Sequence, residues 1–128
     1  MKCEGSAPDQ ATRGSFPKYG DIYDADLDPA IGAETANRRP VLIVSNNENN
    51  EFAQTVTVLP LTGRAAPRPY PFEVLVPRGI AGMRLNSRVK ANQIRTVDKA
   101  RLIRYVGQLP AEYMARVHDA MRVHLNLR

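Results

Sequence analysis

What most restricts the fold of this chain is how its apolar residues are cut up. Before residue 110 they come in short, β-branched-rich runs, and Pro, Gly or Asn stands in most of the gaps. Val41-Leu42-Ile43-Val44 has the form of a strand buried on both faces. Thr55–Leu59 is a further strand, interrupted by Pro60, and Phe72–Val76, Ser87–Ile94 and Leu102–Leu109 follow it. Gly20–Leu27 reads as the first strand, with an imperfect alternation of Ile22, Asp24 and Asp26 against Tyr23, Ala25 and Leu27. Many short strands between turn residues indicate a mostly β domain, a small barrel or sandwich.

The connections carry turn chemistry. The loop from Asp28 to Arg39 contains Pro29, Gly32 and Asn37. Asn46–Asn50 is a polar connection, and 65–71 is a Pro-rich loop flanked and entered by Arg64 and Arg68. Pro77–Gly82 turns the chain, and Asp98 has the place of an N-cap for one helical turn ending at Arg101. Only after Pro110, a residue suited to a helix start, does the period change. Met114, Val117, Met121 and Leu125 then form one apolar stripe, so a closing amphipathic helix is expected to pack on the barrel.

At 128 residues the chain fits one domain. Residues 1–17, rich in Gly, Ser, Pro and charge, read as a flexible tail, which leaves 18–128 as the domain. Charge is unevenly spread. Residues 1–64 carry six Lys/Arg against nine Asp/Glu, a net −3, whereas residues 65–128 carry twelve against four, a net +8. A basic half attracts RNA, DNA or acidic protein segments, although a solvated basic face gives the same count. Cys3 is the only cysteine, no Cys/His spacing suits zinc, and no run is long enough to span a membrane. The first eighteen residues lack a signal-peptide core, so a reducing cytoplasm is expected.

The usual catalytic constellations are absent. His118 and His124 are six apart and point to different helix faces. Asp21, Asp24, Asp26 and Asp28 run along the first strand into a turn, with no calcium-loop pattern behind them, and read as a solvated face rather than a metal site. Phosphate-binding glycine loops and a serine nucleophile elbow are missing. What remains is polar residues in loops and at strand ends: Glu34, Arg38 and Arg39, then Thr62, Gly63 and Arg64, then Gln93, Arg95 and Thr96. By themselves they support a small β-rich domain that binds polyanions.

These residues also carry a resemblance. Tyr19-Gly20-Asp21-Ile22-Tyr23, Asp26-Leu27-Asp28-Pro29, Gly32-Ala33-Glu34 and Arg39-Pro40-Val41-Leu42-Ile43-Val44-Ser45-Asn46 open the set. Pro60-Leu61-Thr62, Tyr70-Pro71-Phe72-Glu73-Val74 and Asn92-Gln93-Ile94-Arg95-Thr96-Val97-Asp98-Lys99 follow in order, before the closing helix. This ordered set, over residues 18–127, resembles the MazF/PemK-type toxins. The resemblance implies an SH3-like barrel, homodimeric, that cleaves single-stranded RNA at short motifs without a metal or other cofactor. It also implies a cognate antitoxin whose acidic tail occupies the RNA groove. The family's catalytic Arg and Thr fall on Arg39 and Thr62, and its loop Glu on Glu34. Arg38, Ser45, Asn46, Gly63, Arg64, Arg68, Gln93 and Arg95 are the expected RNA-binding residues. Where the family commonly has acids, this chain has Asn86 and Asn92, with Arg88 and Lys90 between, so a more basic face is expected.

RNA supplies its own nucleophile, the 2′-OH beside each phosphate. The planar guanidinium of an arginine pairs with phosphate oxygens in two places and serves poorly as a base. Arg39 is therefore assigned to charge stabilisation in the transition state, with proton donation to the leaving oxygen as a second role. The Thr62 hydroxyl would hydrogen-bond the phosphate. Glu34 is either the base for the 2′-OH or an ion-pair partner of Arg38 or Arg39. Gln93 suits a base edge and Arg95 a phosphate. Two rivals predict no turnover: a gyrase-poisoning toxin of the same fold, and a non-catalytic SH3-like RNA-binding or adaptor module.

Overall fold

A computed structural model describes residues 16–63 and 68–128. Strand β1 (Asp21–Asp26) pairs antiparallel with β2 (Arg38–Ile43), Tyr23 opposite Val41 and Asp26 opposite Arg38. The second strand thus starts at Arg38, earlier than Val41, because pairing with β1 draws both arginines out of the loop. Two turn residues fix that loop: Asp26 Oδ1 accepts from the Asp28 N–H, and Asp28 Oδ1 from the Asn37 N–H.

Strand β3 (Thr55–Thr62) runs through Pro60 instead of stopping there. The ladder explains this. Val44 N–H donates to Thr57 O, so 44:57 and Leu42:Leu59 are the hydrogen-bonded pairs. Val41 and Pro60 are then a non-bonded pair, and the proline nitrogen points to the other edge. On that edge β3 pairs with β6 (Arg95–Asp98) through Val58 and with β5 (Ser87–Lys90) only from Leu61. The missing N–H falls in the gap between two partners, where it costs no ladder bond.

The expected single strand Ser87–Ile94 is likewise two. The 3-10 turn Ala91–Gln93 separates β5 from β6 and lets them leave for different parts of the sheet. Strand β4 (Glu73–Val76) pairs with β5, and β7 (Leu102–Gln108) with β1. The strand order is β4-β5-β3-β2-β1-β7, with β6 also on β3. This is the small barrel expected, unclosed in its hydrogen bonding. The turn Ile80–Gly82 lies against β7 so closely that a Cβ on Gly107 would sit 2.2 Å from Ala81 O.

Two cores result, one on each face of β1, β2 and β3. Ile22, Leu42, Leu59 and Leu61 join Val74, Val76 and Val89 in the first, and Tyr23, Ala25, Val41, Ile43, Val56 and Val58 form the second. Helix α2 (Ala111–Leu125) covers the first core with Met114, Val117 and Ala120. The expected stripe holds from Met114 through Met121, which packs against the same core, and fails only at Leu125. Met121 is half-buried and Leu125 is 42% exposed, because the helix runs past the rim of the sheet.

The polar connection expected at Asn46–Asn50 contains a helix, α1 (Asn47–Phe52). The Asn46 side chain accepts from Asn49 N–H at its start, and buried Asn50 bonds Ser45. The helical turn at Lys99–Arg101 has the N-cap expected, Asp98 Oδ1 accepting from Ala100 N–H at 2.8 Å. Asp21 is fully buried and not on a solvated face. It accepts from Lys18 N–H at 2.8 Å and from Gln108 Nε2 at 3.3 Å. Of the tail, residues 1–15 and Cys3 with them lie outside the described residues.

Candidate active site

Along β1 and β2 the face that puts Ile22 and Leu42 into the first core carries Asp24 and Pro40 two residues on, then Asp26 and Arg38. Where apolar residues give way to charged ones the core ends and a cleft of about 280 Å³ begins. Arg38, Pro40 and Asp24 line it from this face, and Arg39, next along β2, also borders it. Gly63, following Thr62 at the end of β3, and the segment Gly82–Leu85 form a wall, and Arg104 and Val106 of β7 close the side.

Arg39 is positioned by its own loop. Its Nε donates to Ala36 O at 2.7 Å, which turns the two terminal nitrogens toward other partners. Arg38, exposed beside it, makes no ion pair among the described side chains, the acid opposite it, Asp26, being engaged with Asp28 N–H. Thr62 is half-buried, opposite Arg88 in the β3–β5 pair. Gly63 approaches Leu85 closely: a Cβ there would be 3.2 Å from Leu85 Cδ1.

Glu34, Gln93 and Arg95 lie elsewhere. With Ile31, Ala33, Asn92 and Ile94 they line a second hollow of about 440 Å³. Glu34 Oε1 accepts from Ile31 N–H at 2.9 Å, closing a turn in which Glu34 N–H donates back to Ile31 O. Among the described residues this carboxylate makes no ion pair with Arg38 or Arg39. Gln93 Oε1 accepts from Thr35 N–H at 3.1 Å and Arg95 Nη1 donates to Leu27 O at 3.3 Å. Both side chains tie the β1–β2 loop to the body while facing the hollow. The Asn92 Oδ1 is buried and lacks a hydrogen-bond donor among the described residues.

Ser45 and Asn46 sit at the other end of β2 from Arg38, and both are engaged in structure. Ser45 Oγ accepts from Thr57 N–H at 3.0 Å, and Asn46 caps α1. Arg68 is exposed on the Pro-rich loop, and Arg64 lies outside the described residues. The expected extra positive charge between residues 86 and 92 is only partly there. Arg88 is buried and paired with Glu73 at 2.7 Å, because β4 and β5 bring the two onto one face. Asn86 accepts from Arg78 N–H at 2.9 Å and so shapes the turn before β5.

Sequence reasoning missed Asp24, Arg84 and Arg104 in the cleft. Asp24 and Arg104 are partners across β1 and β7, 2.7 Å apart, and eighty residues of chain separate them.

Comparison with known proteins bears on this arrangement. Residues 18–125 match the family described as PemK-like, MazF-like toxin of type II toxin–antitoxin system. Endoribonuclease MazF9 of Mycobacterium tuberculosis is 37% identical over 115 residues, covering 86% of this chain and 97% of that protein. Endoribonuclease EndoA of Bacillus subtilis is 36% identical over 110 residues, covering 86% and 95%. Among solved structures, MazF of Deinococcus radiodurans superposes with a TM-score of 0.76 at 27% identity, covering 88% of this chain and 98% of that one. An endoribonuclease in complex with its cognate antitoxin, from a mycobacterial species, gives 0.73 at 28% identity, covering 88% and 97%.

Proposed function

The chain belongs to the PemK-like, MazF-like toxins of type II toxin–antitoxin systems, and from that membership and the arginine-lined cleft we propose how it cleaves RNA. It is an endoribonuclease toxin with a cognate antitoxin as its partner. Its substrate is single-stranded RNA, read at a short sequence. The observation that carries the chemistry is Arg39, anchored through Nε with its terminal nitrogens free to take a phosphate.

In the proposed reaction the 2′-oxygen attacks the adjacent phosphorus, the P–O5′ bond breaks, and a 2′,3′-cyclic phosphate and a 5′-OH result. Arg39 pairs with the non-bridging oxygens, where negative charge gathers, and gives a proton to the leaving 5′-oxygen. Thr62 adds a hydrogen bond to the same phosphate. The 2′-proton passes to solvent, since Glu34 is held by Ile31 N–H in the second hollow, where it shapes the loop. Because the nucleophile is internal to the RNA, the chemistry needs no metal. Gln93 and Arg95 in the second hollow read an unstacked base and its phosphate.

The protein acts as a homodimer in the cytoplasm, where messenger RNA is met. Exposed Leu75 on the edge strand β4 and Val123 and Leu127 at the end of the chain are apolar surface for a second copy. No helix of the described residues is long and apolar enough to cross a membrane. The test is incubation of purified protein with a long RNA in EDTA, followed by sequencing of 5′-OH ends. Wild type should cut at a recurring motif and folded Arg39→Ala should not. Intact RNA with the wild type would overturn the proposal in favour of a gyrase poison or a binding module.

A further inference from the structure

Two cleft arginines, Arg84 and Arg104, have no part in the chemistry above. Arg104 reaches the cleft through register: it stands opposite Asp24, which stands opposite Pro40, so one row crosses β7, β1 and β2. Its Nη2 donates to Asp24 Oδ2 at 2.7 Å, with the two side chains 50% and 30% exposed. An ion pair this open adds little to stability. What it does is hold a half-exposed guanidinium beside Asp24 with N–H groups left for a further acceptor.

Arg84 enters the same lining from the segment before β5. It is exposed on the segment between Gly82 and β5, and that segment is fixed at both ends. Gly82 lies on Val106, where a Cβ would come within 2.6 Å of the carbonyl oxygen, and Asn86 accepts from Arg78 N–H. Arg84 makes no ion pair within the described residues. The cleft lining therefore holds Arg38, Arg39, Arg84 and Arg104 against one acid, Asp24. A single scissile phosphate carries one negative charge, whereas an RNA strand repeats that charge at every nucleotide.

We infer that Arg84 and Arg104 form a second anion subsite, which takes the RNA phosphate next to the one at Arg39. The inference rests on the RNA-cleaving reading. The pair, one arginine from β7 and one from the segment before β5, holds the backbone and sets the register in which a phosphate reaches Arg39. Both are positioning residues, so their loss should weaken binding and leave the chemical step alone.

The test uses full-length Arg84→Met, Arg104→Met and Arg104→Lys with a single-stranded RNA oligonucleotide. It measures KM, kcat, the salt dependence of binding and inhibition by an acidic antitoxin peptide. Each Met variant should raise KM about tenfold at unchanged kcat, the size of one charge-assisted hydrogen bond. Each should also make the slope of log K against log salt shallower by about 0.7, one phosphate contact on a single strand. Arg104→Lys should keep the wild-type slope, because an ammonium still neutralises a phosphate. Unchanged KM and slope in both Met variants would remove the subsite, and so would a fall in kcat at constant KM. Normal RNA kinetics with lost inhibition by an acidic antitoxin peptide would also overturn it, assigning the arginines to the antitoxin. If wild type cleaves no RNA, the parent reading fails instead, and the salt series on binding still reports on the two arginines.

Discussion

Replacing Gly107 by alanine should loosen the protein where the turn Ile80–Gly82 meets β7 by contact and not by hydrogen bonds. A Cβ at this position would lie 2.2 Å from Ala81 O and 2.6 Å from the Ala81 carbonyl carbon. Reciprocally, a Cβ at Gly82 would lie 2.6 Å from Val106 O. These are backbone atoms on both sides, so no side chain can swing away, and the turn Ile80–Gly82 has to lift off β7. Forcing one extra methyl into a packed contact costs about 1–3 kcal/mol, and backbone against backbone belongs at the upper end. For a domain near this size about 1 kcal/mol is worth about 4 °C, so the melting temperature should fall by about 10 °C. Gly82, Met83 and Val106 line the cleft, so KM for RNA should rise at temperatures where the variant is still folded. Gly32→Ala is the control: nothing lies within 4 Å of its Cβ, and only its φ of +57° opposes the change. Circular dichroism melts and calorimetry read the effect. A Gly107→Ala protein melting within about 2 °C of wild type would refute this tight contact, since even the lowest overpacking cost exceeds that shift.

Three further substitutions probe the rest of the molecule. Thr62→Val keeps the shape and removes the hydroxyl, so cleavage should slow about ten- to hundredfold, the worth of a hydrogen bond to a charged group; single-turnover kinetics decide it. Glu34→Gln still offers an oxygen to Ile31 N–H, so cleavage should stay within tenfold of wild type, whereas a base would show a loss of about a hundredfold or more. Glu73→Ala strips the buried Arg88 of this counter-ion, 2.7 Å away with side-chain exposures of 4% and 7%, and takes an acceptor from Tyr70 N–H. It should cost about 3–5 kcal/mol in urea unfolding, with little sensitivity to salt.

The strands were legible because short β-branched runs between turn residues have few other uses, and the terminal helix because its period differs. Boundaries failed where tertiary pairing overrode local signals. Pro60 looks like a strand end until the ladder shows that its nitrogen faces a gap between partners. Ser87–Ile94 looks continuous because the 3-10 turn at Ala91–Gln93 contains neither Gly nor Pro. Burial of Asp21 and Arg88 was hidden for the same reason, each charge being matched by a group distant in sequence. In the cleft, Arg39 was visible through its Arg-Pro pair and the matching stretches. The Asp24–Arg104 row was not, because it exists only once β1 and β7 are side by side. Glu34 was grouped with Arg39 by closeness in sequence, yet the loop turns it toward the second hollow.

The double-sided burial of β1, β2 and β3 has a consequence for how the molecule breathes. Amides of these strands, covered by one core on each face, should exchange with solvent only through global unfolding, making them the slowest in the protein. The segment Gly82–Leu85 belongs to no strand; Met83 anchors it in the first core, whereas Arg84 and Leu85 are exposed, and the amides of these two should exchange through small local openings. Arg38 and Arg39 thus continue the strand whose core amides are the most protected, and Arg84 sits on a short exposed stretch between Met83 and Asn86. Motion of that exposed stretch would leave β2, and the backbone of Arg38 and Arg39 with it, in place.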